Sequence, residues 1–312
     1  MNPIEILKAI LFGVVEGVTE WLPISSTGHM LLLDEVVKMN VTPDFWHMFL
    51  VVIQLGAILA VVVLFFHQLN PFSPSKTSDE KHATWSMWGK TIAACVPAAV
   101  VGIPLDDLMD EYLSSPYIIA FTLIVYGIWF IVIENSREKK VQTILSREEA
   151  HFGGSAKHMA PVALDDTLTT AELADLDAPI QTMEDLDFKT AMKIGMFQVL
   201  SIIPGTSRSG STIIGGLQLG CSRAVAAEFT FYLAIPVMFG ASLLRLVKFF
   251  VKGNGFVADE AMLLGIGCLV AFLVSLFVIK FLMTYIKKHD FKPFGWYRIV
   301  LGIIVIIWFT LA

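Results

Sequence analysis

The sequence predicts an all-α polytopic membrane protein, and three observations support that prediction. Of the 312 residues, 55% are hydrophobic and 16% are charged, whereas soluble domains average about 45–50% apolar and about 25% charged residues. Six apolar stretches have the length that a membrane-spanning helix needs. Two further apolar stretches are interrupted near their centres by Pro, Gly and hydroxyl residues.

The composition also excludes several classes of protein. Lys and Arg total 22 against 28 Asp and Glu, which argues against a nucleic-acid binder, and the apolar content argues against disorder. Cys95, Cys221 and Cys268 lie in apolar runs without metal-type spacing, so neither a disulfide framework nor a zinc site is expected. No signal peptide is expected, because the start lacks a basic region and a cleavage site. Asn2 and Pro3 instead predict the start of a helix.

The eight apolar stretches divide into six spans and two hairpins. The predicted spans cover about 45–66, 86–105, 117–133, 224–247, 261–283 and 296–312. The interrupted stretches cover about 4–33 and 188–219, and each of their arms is too short to cross a membrane alone. Each stretch is therefore predicted to be a re-entrant hairpin, with non-helical backbone at membrane depth shielded by protein.

The two hairpins resemble each other in sequence. A shared order of residues occurs at Gly13, Glu16, Pro23, Ser25 and Ser26 and, with a one-residue gap, at Gly195, Gln198, Pro204, Thr206 and Ser207. Each hairpin precedes three spans, so the second copy would enter from the opposite face. This predicts an inverted repeat of residues 1–134 and 188–312, a class of fold that places its site where the broken helices meet.

A polar segment separates the two predicted halves. Residues 134–190 contain twelve acidic and six basic residues, which accounts for the whole net charge of −6. Residues 135–187 are predicted to be an acidic cytoplasmic loop, partly disordered, with helical fragments around 169–176 and 183–193. Loops on the N-terminal side carry five Lys and Arg and the other side sixteen, Arg298 included. The positive-inside rule then places both termini and the first hairpin outside.

Four ionisable residues lie within the apolar runs that follow Lys8 and Lys193 in the two hairpins: Glu16, Glu20, His29 and Arg208. Each costs about 2.5–3.5 kcal/mol to insert into a membrane, which favours a functional reason for keeping them. The structural alternative is a set of buried ion pairs that hold the hairpins together. Glu16 and Glu20 share one helix face and repel each other. An arginine or a divalent cation between them would relieve that repulsion, and hard oxygen ligands suit Mg²⁺ or Ca²⁺.

The hydroxyl-rich segments predict an anion site. Residues 23–29 place hydroxyls and a glycine at a helix start, where free N–H groups attract anions. Ser26 and His29 can share a face, as an activated nucleophile requires, although a capping serine and a core histidine are the alternatives. Residues 204–212 repeat the pattern and add Arg208, which can bind phosphate bidentately unless it only snorkels. Together these residues predict a phosphate site and favour hydrolysis over binding or transport.

Residues 16–29 and 204–212 resemble the two signatures of the undecaprenyl-diphosphate phosphatases, the bacitracin-resistance family. Residues 53–58 and 227–236 also match that family's pattern, and the likeness spans the chain except about 135–187, which looks longer than the family's usual loop. The resemblance implies hydrolysis of undecaprenyl diphosphate to the monophosphate, which is reused in peptidoglycan synthesis. It also implies the bacterial inner membrane, an outward-opening site, and bacitracin acting by sequestering the substrate.

The resemblance further implies roles for single residues. Ser26 would attack the terminal phosphorus with His29 as acid and base, although His29 as the nucleophile stays open. Arg208 would hold the diphosphate, and Glu16 and Glu20 would hold the cation or assist proton transfer. The expected substrate-binding residues are Ser25, Thr27, Gly28, Gln54, Gly205, Thr206, Ser207, Ser209, Gly210 and Thr212. A lipid-phosphate or anion transporter, a flippase, a non-catalytic cell-wall component and a homodimer stay open.

Overall fold

The computed structural model describes residues 2–113, 115–152 and 168–311, and these residues are helical apart from turns and short connections. No β-strand occurs in those ranges; one isolated bridge pairs Ile180 with Cys221. The helices are α1 (Pro3–Thr19), α2 (Ser26–Val36), α3 (Pro43–Val52), α4 (Gln54–Leu64), α5 (Phe66–Leu69), α6 (Ser78–Tyr112), α7 (Pro116–Phe152), α8 (Thr170–Leu176), α9 (Phe188–Val199), α10 (Arg208–Gln218), α11 (Arg223–Val251), α12 (Ala258–Tyr285) and α13 (Lys292–Leu311).

Six helical segments are long and apolar enough to cross a membrane, which confirms the predicted number of spans within the described ranges. They are Pro43–Leu64, Ser78–Leu105, Pro116–Ser146, Arg223–Val251, Ala258–Tyr285 and Lys292–Leu311. The first consists of α3 and α4, which meet at Ile53. Side-chain caps fix where two of the spans begin: Thr42 accepts from the N–H of Phe45, and Ser222 accepts from the N–H of Val225. The chain is therefore a multi-pass membrane protein.

The two interrupted stretches form helix–turn–helix units. In the first, α1 and α2 are joined by the first turn (residues 20–25). In the second, a 3₁₀ turn (Leu200–Ile202) and the second turn (residues 203–207) join α9 to α10. Helix α1 packs against α12, α9 against α6, and α7 against α13. The two turns consequently lie inside the bundle, where Ser25 and Thr206 are buried.

The segment predicted to be a loop from residue 135 differs from that expectation. Helix α7 continues through it to Phe152. The expected fragment at 169–176 is α8, whose N-terminus has a capping box formed by Thr169 and Glu172. The second expected fragment starts later, because Asp187 caps a helix that begins at Phe188. The expectation of disorder within 153–167 falls outside the described residues.

A buried ion pair joins the ends of several helices beside α8. Glu134 and Arg223 have side chains that are 0% and 1% exposed. The Arg223 Nε donates to Glu134 Oε1 at 2.9 Å, and Nη2 donates to Oε2 at 2.5 Å. The same carboxylate accepts from the N–H of Phe291, and Arg223 Nη1 donates to the carbonyl of Ala171. These contacts tie α7, α8, α11 and the start of α13 together.

Replacing Glu134 with alanine is expected to destabilise the fold by about 3–5 kcal/mol, because it leaves a buried guanidinium without its counter-charge. Thermal unfolding in detergent micelles measures the effect. Glu138→Ala is the matched control, since the Glu138–Lys292 pair one turn away is about a quarter exposed and should contribute about 1 kcal/mol or less. Equal losses of stability in the two variants would contradict the larger contribution expected from the Glu134–Arg223 pair.

Candidate active site

Both turns end in a serine with an unusual backbone conformation. Ser25 has φ 76° and Ser207 has φ 72°, a left-handed region that costs a non-glycine residue about 1–3 kcal/mol and is concentrated at functional sites. Each serine caps the helix that follows, accepting from the N–H of Gly28 at 3.3 Å and of Gly210 at 3.0 Å. Helices α2 and α10 therefore start at the turns, with their first N–H groups available to an anion.

The left-handed serines correct the sequence comparison of the two units. Ser25 and Ser207 are 182 residues apart, and so are the capped glycines Gly28 and Gly210. Glu16 and Gln198 have the same spacing. The units therefore correspond without the one-residue gap that the comparison of their prolines required.

The second turn is pressed against α7, and this requires a glycine. A Cβ on Gly205 would lie 2.1 Å from Thr122 Oγ1, and Gly205 also has φ 89°. The Thr122 hydroxyl donates to the carbonyl of Pro204 at 2.9 Å. Thr206 is held in the same turn, where its hydroxyl bonds to the carbonyls of Ile203 and Leu200. The hydroxyl of Thr206, expected to bind substrate, thus holds its own turn.

Glu20, Ser26 and Arg208 meet between the two turns. Arg208 Nη2 lies 2.8 Å from Glu20 Oε1, and the Ser26 hydroxyl donates to Glu20 Oε2. Ser209 donates to the Glu20 carbonyl at 3.1 Å, and Arg208 Nη1 donates to the carbonyl of Thr230 at 3.0 Å. One carboxylate therefore bridges a hydroxyl from the first unit and a guanidinium from the second.

His29 does not form the expected pair with Ser26. Its Nδ1 lies 2.7 Å from the Ser25 carbonyl and its Nε2 lies 2.7 Å from the Tyr297 hydroxyl. A carbonyl only accepts, so Nδ1 carries the proton, and in the neutral ring Nε2 accepts from Tyr297. The Tyr297 ring stacks on the imidazole at 5.7 Å. The hydrogen-bond partner of the Ser26 hydroxyl is the Glu20 carboxylate instead.

Glu16 differs from Glu20 in having no hydrogen-bond partner. Its two carboxylate oxygens are buried, and neither is bonded within the described part of the chain. No group of three or more His, Cys, Asp or Glu side chains is arranged to hold a metal in those ranges. A cation at this site would therefore find two carboxylates, Glu16 and Glu20, among the described residues. Mg²⁺ and Ca²⁺ accept such sites when water and substrate phosphates complete the shell.

The other expected substrate-binding residues have diverse environments. Thr27 is exposed, and Gln54 is half-buried at the start of α4. Thr212 is fully buried, donates to the Arg208 carbonyl and accepts from Thr230. The hydroxyls of Ser207 and Ser209 lie 3.1 Å apart.

Sequence reasoning missed the contribution of α13. By sequence alone, Arg298 counts among the loop residues of the basic side. In the structure Arg298 is fully buried inside α13 and donates to backbone carbonyls of both turns. Its neighbour Tyr297 holds His29. The available signal was an arginine two residues inside the predicted span 296–312, a position that also suits a residue at a helix end.

Comparison with known proteins identifies the family of the chain. Residues 9–304 match the family model described as bacitracin resistance protein BacA. A protein of Enterococcus faecalis named undecaprenyl-diphosphatase is 53% identical over 306 residues, 97% of each chain. Proteins of the same name from Lactiplantibacillus plantarum and Acetivibrio thermocellus are 49% and 50% identical, over 99% and 98% of each chain. The segment 135–187 is thus no unusual extension beside these relatives. The chain belongs to the BacA family.

Proposed function

We propose that the protein hydrolyses undecaprenyl diphosphate to undecaprenyl phosphate and inorganic phosphate. The observation that carries the proposal is the contact of Ser26, Glu20 and Arg208 between two helix N-termini. The relatives named undecaprenyl-diphosphatase support the choice of substrate. The product is the carrier lipid of peptidoglycan synthesis, and bacitracin, which sequesters the diphosphate, would compete with this recycling.

The contacts support Ser26 as the nucleophile. Its hydroxyl donates to Glu20, so the carboxylate can take the proton as Oγ attacks the terminal phosphorus. The bond from that phosphorus to the bridging oxygen breaks, and the lipid monophosphate leaves. Water then attacks the phosphoserine and releases inorganic phosphate. Arg208 and the free N–H groups of α2 and α10 stabilise charge on the transferring phosphoryl group.

His29 has a supporting role in this mechanism. Its two ring nitrogens are engaged by the Ser25 carbonyl and the Tyr297 hydroxyl. Nε2 would have to release Tyr297 before it could attack phosphorus, whereas Ser26 already contacts a base. We therefore assign His29 to proton exchange with the leaving oxygen or with water, and Tyr297 to fixing its tautomer.

A divalent cation fits the residues of this site. Glu16 and Glu20 would hold it, and the unbonded oxygens of Glu16 support that assignment. When bound, the cation would neutralise charge on the diphosphate. Glu20 already contacts Arg208 and Ser26, so Glu16 would be the stronger of the two protein ligands.

We also propose that the two units are re-entrant hairpins in an inverted repeat. The reciprocal contact of α7 and α13 supports an approximate two-fold axis: a Cβ on Gly127 would meet the Gly295 carbonyl and Ile299, and one on Gly295 would meet the Gly127 carbonyl and Ile131. The exchanged packing of α1 on α12 and α9 on α6 has the same relation. In the bacterial inner membrane, the basic side would be cytoplasmic, and the site and termini would face outward.

The proposed activity is tested by release of inorganic phosphate from undecaprenyl diphosphate by the purified protein. Arg208→Ala is expected to lower kcat by about 10²–10³-fold, because it removes charge stabilisation of the transition state. EDTA should abolish release and Mg²⁺ or Ca²⁺ restore it. No release by the folded wild-type protein would refute hydrolysis, and lipid flux in liposomes would then favour the transporter. Release that resists EDTA would refute the requirement for a cation but not the hydrolysis.

The nucleophile is tested by trapping the phosphorylated enzyme after an acid quench and locating the phosphate by mass spectrometry. The phosphate is expected on Ser26, and Ser26→Ala should lose activity by about 10⁴-fold or more. Ser136→Ala is the control, because this exposed serine of α7 lies outside both turns and should keep most activity. Phosphate on His29, or a fully active Ser26→Ala variant, would contradict the assignment.

The orientation is tested with a membrane-impermeant maleimide on intact bacteria, in a variant whose three native cysteines are alanine. Lys38→Cys, on the side of the N-terminus, is expected to react. Lys139→Cys should react only after the membrane is permeabilised. Both lysines are exposed, so a difference in labelling reports the side of the membrane. The opposite pattern would reverse the proposed topology.

A further inference from the structure

Arg298 binds the backbone of both turns at once. Its Nη1 donates to the Pro23 carbonyl at 3.0 Å, and its Nη2 donates to the carbonyls of Gly205 at 2.8 Å and Thr206 at 3.0 Å. The guanidinium carbon lies 5.3 Å from the centroid of the Tyr126 ring. A single side chain from α13 thus connects the first turn to the second.

The charge of Arg298 has no acidic partner. The side chain is fully buried, and its hydrogen bonds within the described ranges all go to carbonyl oxygens. Removing a charge from water is costly even after relaxation, and the described contacts of Arg298 oppose that cost with carbonyl dipoles and one aromatic face instead of a counter-charge. Stability alone is therefore a poor explanation for an arginine here.

The contacts of Arg298 determine which way the peptide groups of the turns point. In a trans peptide the N–H is directed opposite to the preceding carbonyl. With the Thr206 carbonyl drawn to Arg298, the N–H of Ser207 is directed away from it. Arg298 also lies against the start of α10, where a Cβ on Gly210 would be 3.1 Å from Nη1. The carbonyl ends of three turn peptides are thus directed to Arg298, and the N–H of Ser207 is directed away from it.

We infer that Arg298 is a positioning residue for phosphoryl transfer. It fixes the separation of the two turns, and with it the meeting of Ser26 from the first unit with Arg208 from the second. Arg208 contacts the reacting groups, whereas Arg298 acts indirectly by binding backbone carbonyls of the turns. The inference rests on the proposed role of the two turns as the diphosphate cradle.

Arg298→Lys tests the inference, because an ammonium keeps the charge but is too compact to reach the carbonyls of both turns. We expect kcat for undecaprenyl diphosphate to fall by about 10²-fold, the scale of a misplaced reacting group, with KM changed by less than about threefold. Arg223→Lys is the matched control. Arg223 is equally buried and equally dependent on its fork geometry, but it binds Glu134 in the cluster beside α8. Arg223→Lys should lower the melting temperature by a similar amount and keep kcat within about threefold of wild type.

Two outcomes would overturn the inference: a kcat near wild type in Arg298→Lys, or an equal loss of kcat in Arg223→Lys at an equal melting temperature. Tyr126→Leu replaces Arg298→Lys if the latter does not fold. It removes the aromatic face and leaves the carbonyl contacts, so kcat should fall by about 3–10-fold, and unchanged kcat would count against the inference. Ser26→Ala in the same assay separates the proposed active site from the positioning role of Arg298. Full activity of Ser26→Ala would refute the active site, whereas the comparison of Arg298→Lys with Arg223→Lys tests the positioning role.

Discussion

Backbone that leaves helical geometry within an apolar environment must find its hydrogen-bond partners inside the protein. Residues 20–25 and 203–207 both leave it, and each turn depends on donors from elsewhere in the chain. Thr122 on α7 satisfies the Pro204 carbonyl, Ser209 satisfies that of Glu20, and Arg298 satisfies those of Pro23 and Gly205. The turns thus complete each other, and the packing of α7 and α13 around them follows from that requirement.

The electrostatics of the site follow from the same arrangement. Two carboxylates, Glu16 and Glu20, and two guanidiniums, Arg208 and Arg298, lie close to the turns, so their formal charges cancel. Glu20 and Arg208 form an ion pair. A diphosphate entering this site brings negative charge that the protein does not balance alone, which is why a cation with Glu16 as ligand is chemically consistent with the site. The Glu16 carboxylate, which has no hydrogen-bond partner within the described residues, is thus available to bind a cation.

The number of spans and the position of both turns could be predicted from the sequence, because hydropathy and interrupted apolar runs are local signals. The contact between Glu20 and Arg208 was within reach, since two buried opposite charges attract. The partner of Ser26 was not, because the left-handed Ser25 presents its carbonyl to His29 and thereby turns the imidazole to Tyr297. Arg298 escaped for another reason: its role depends on the approach of α13 to both turns, which no spacing within a helix encodes. The extension of α7 to Phe152 was hidden by its polar composition.

The equal spacing of the two units shows how the chemistry of the site is divided between them. Positions that correspond at 182 residues carry unlike side chains: Glu16 matches Gln198, and Ser26 matches Arg208. One half supplies the acids and the hydroxyl, and the other supplies the fixed positive charge. Neither half could form the constellation by pairing with a copy of itself. A substitution in one turn therefore alters contacts that the other turn shares.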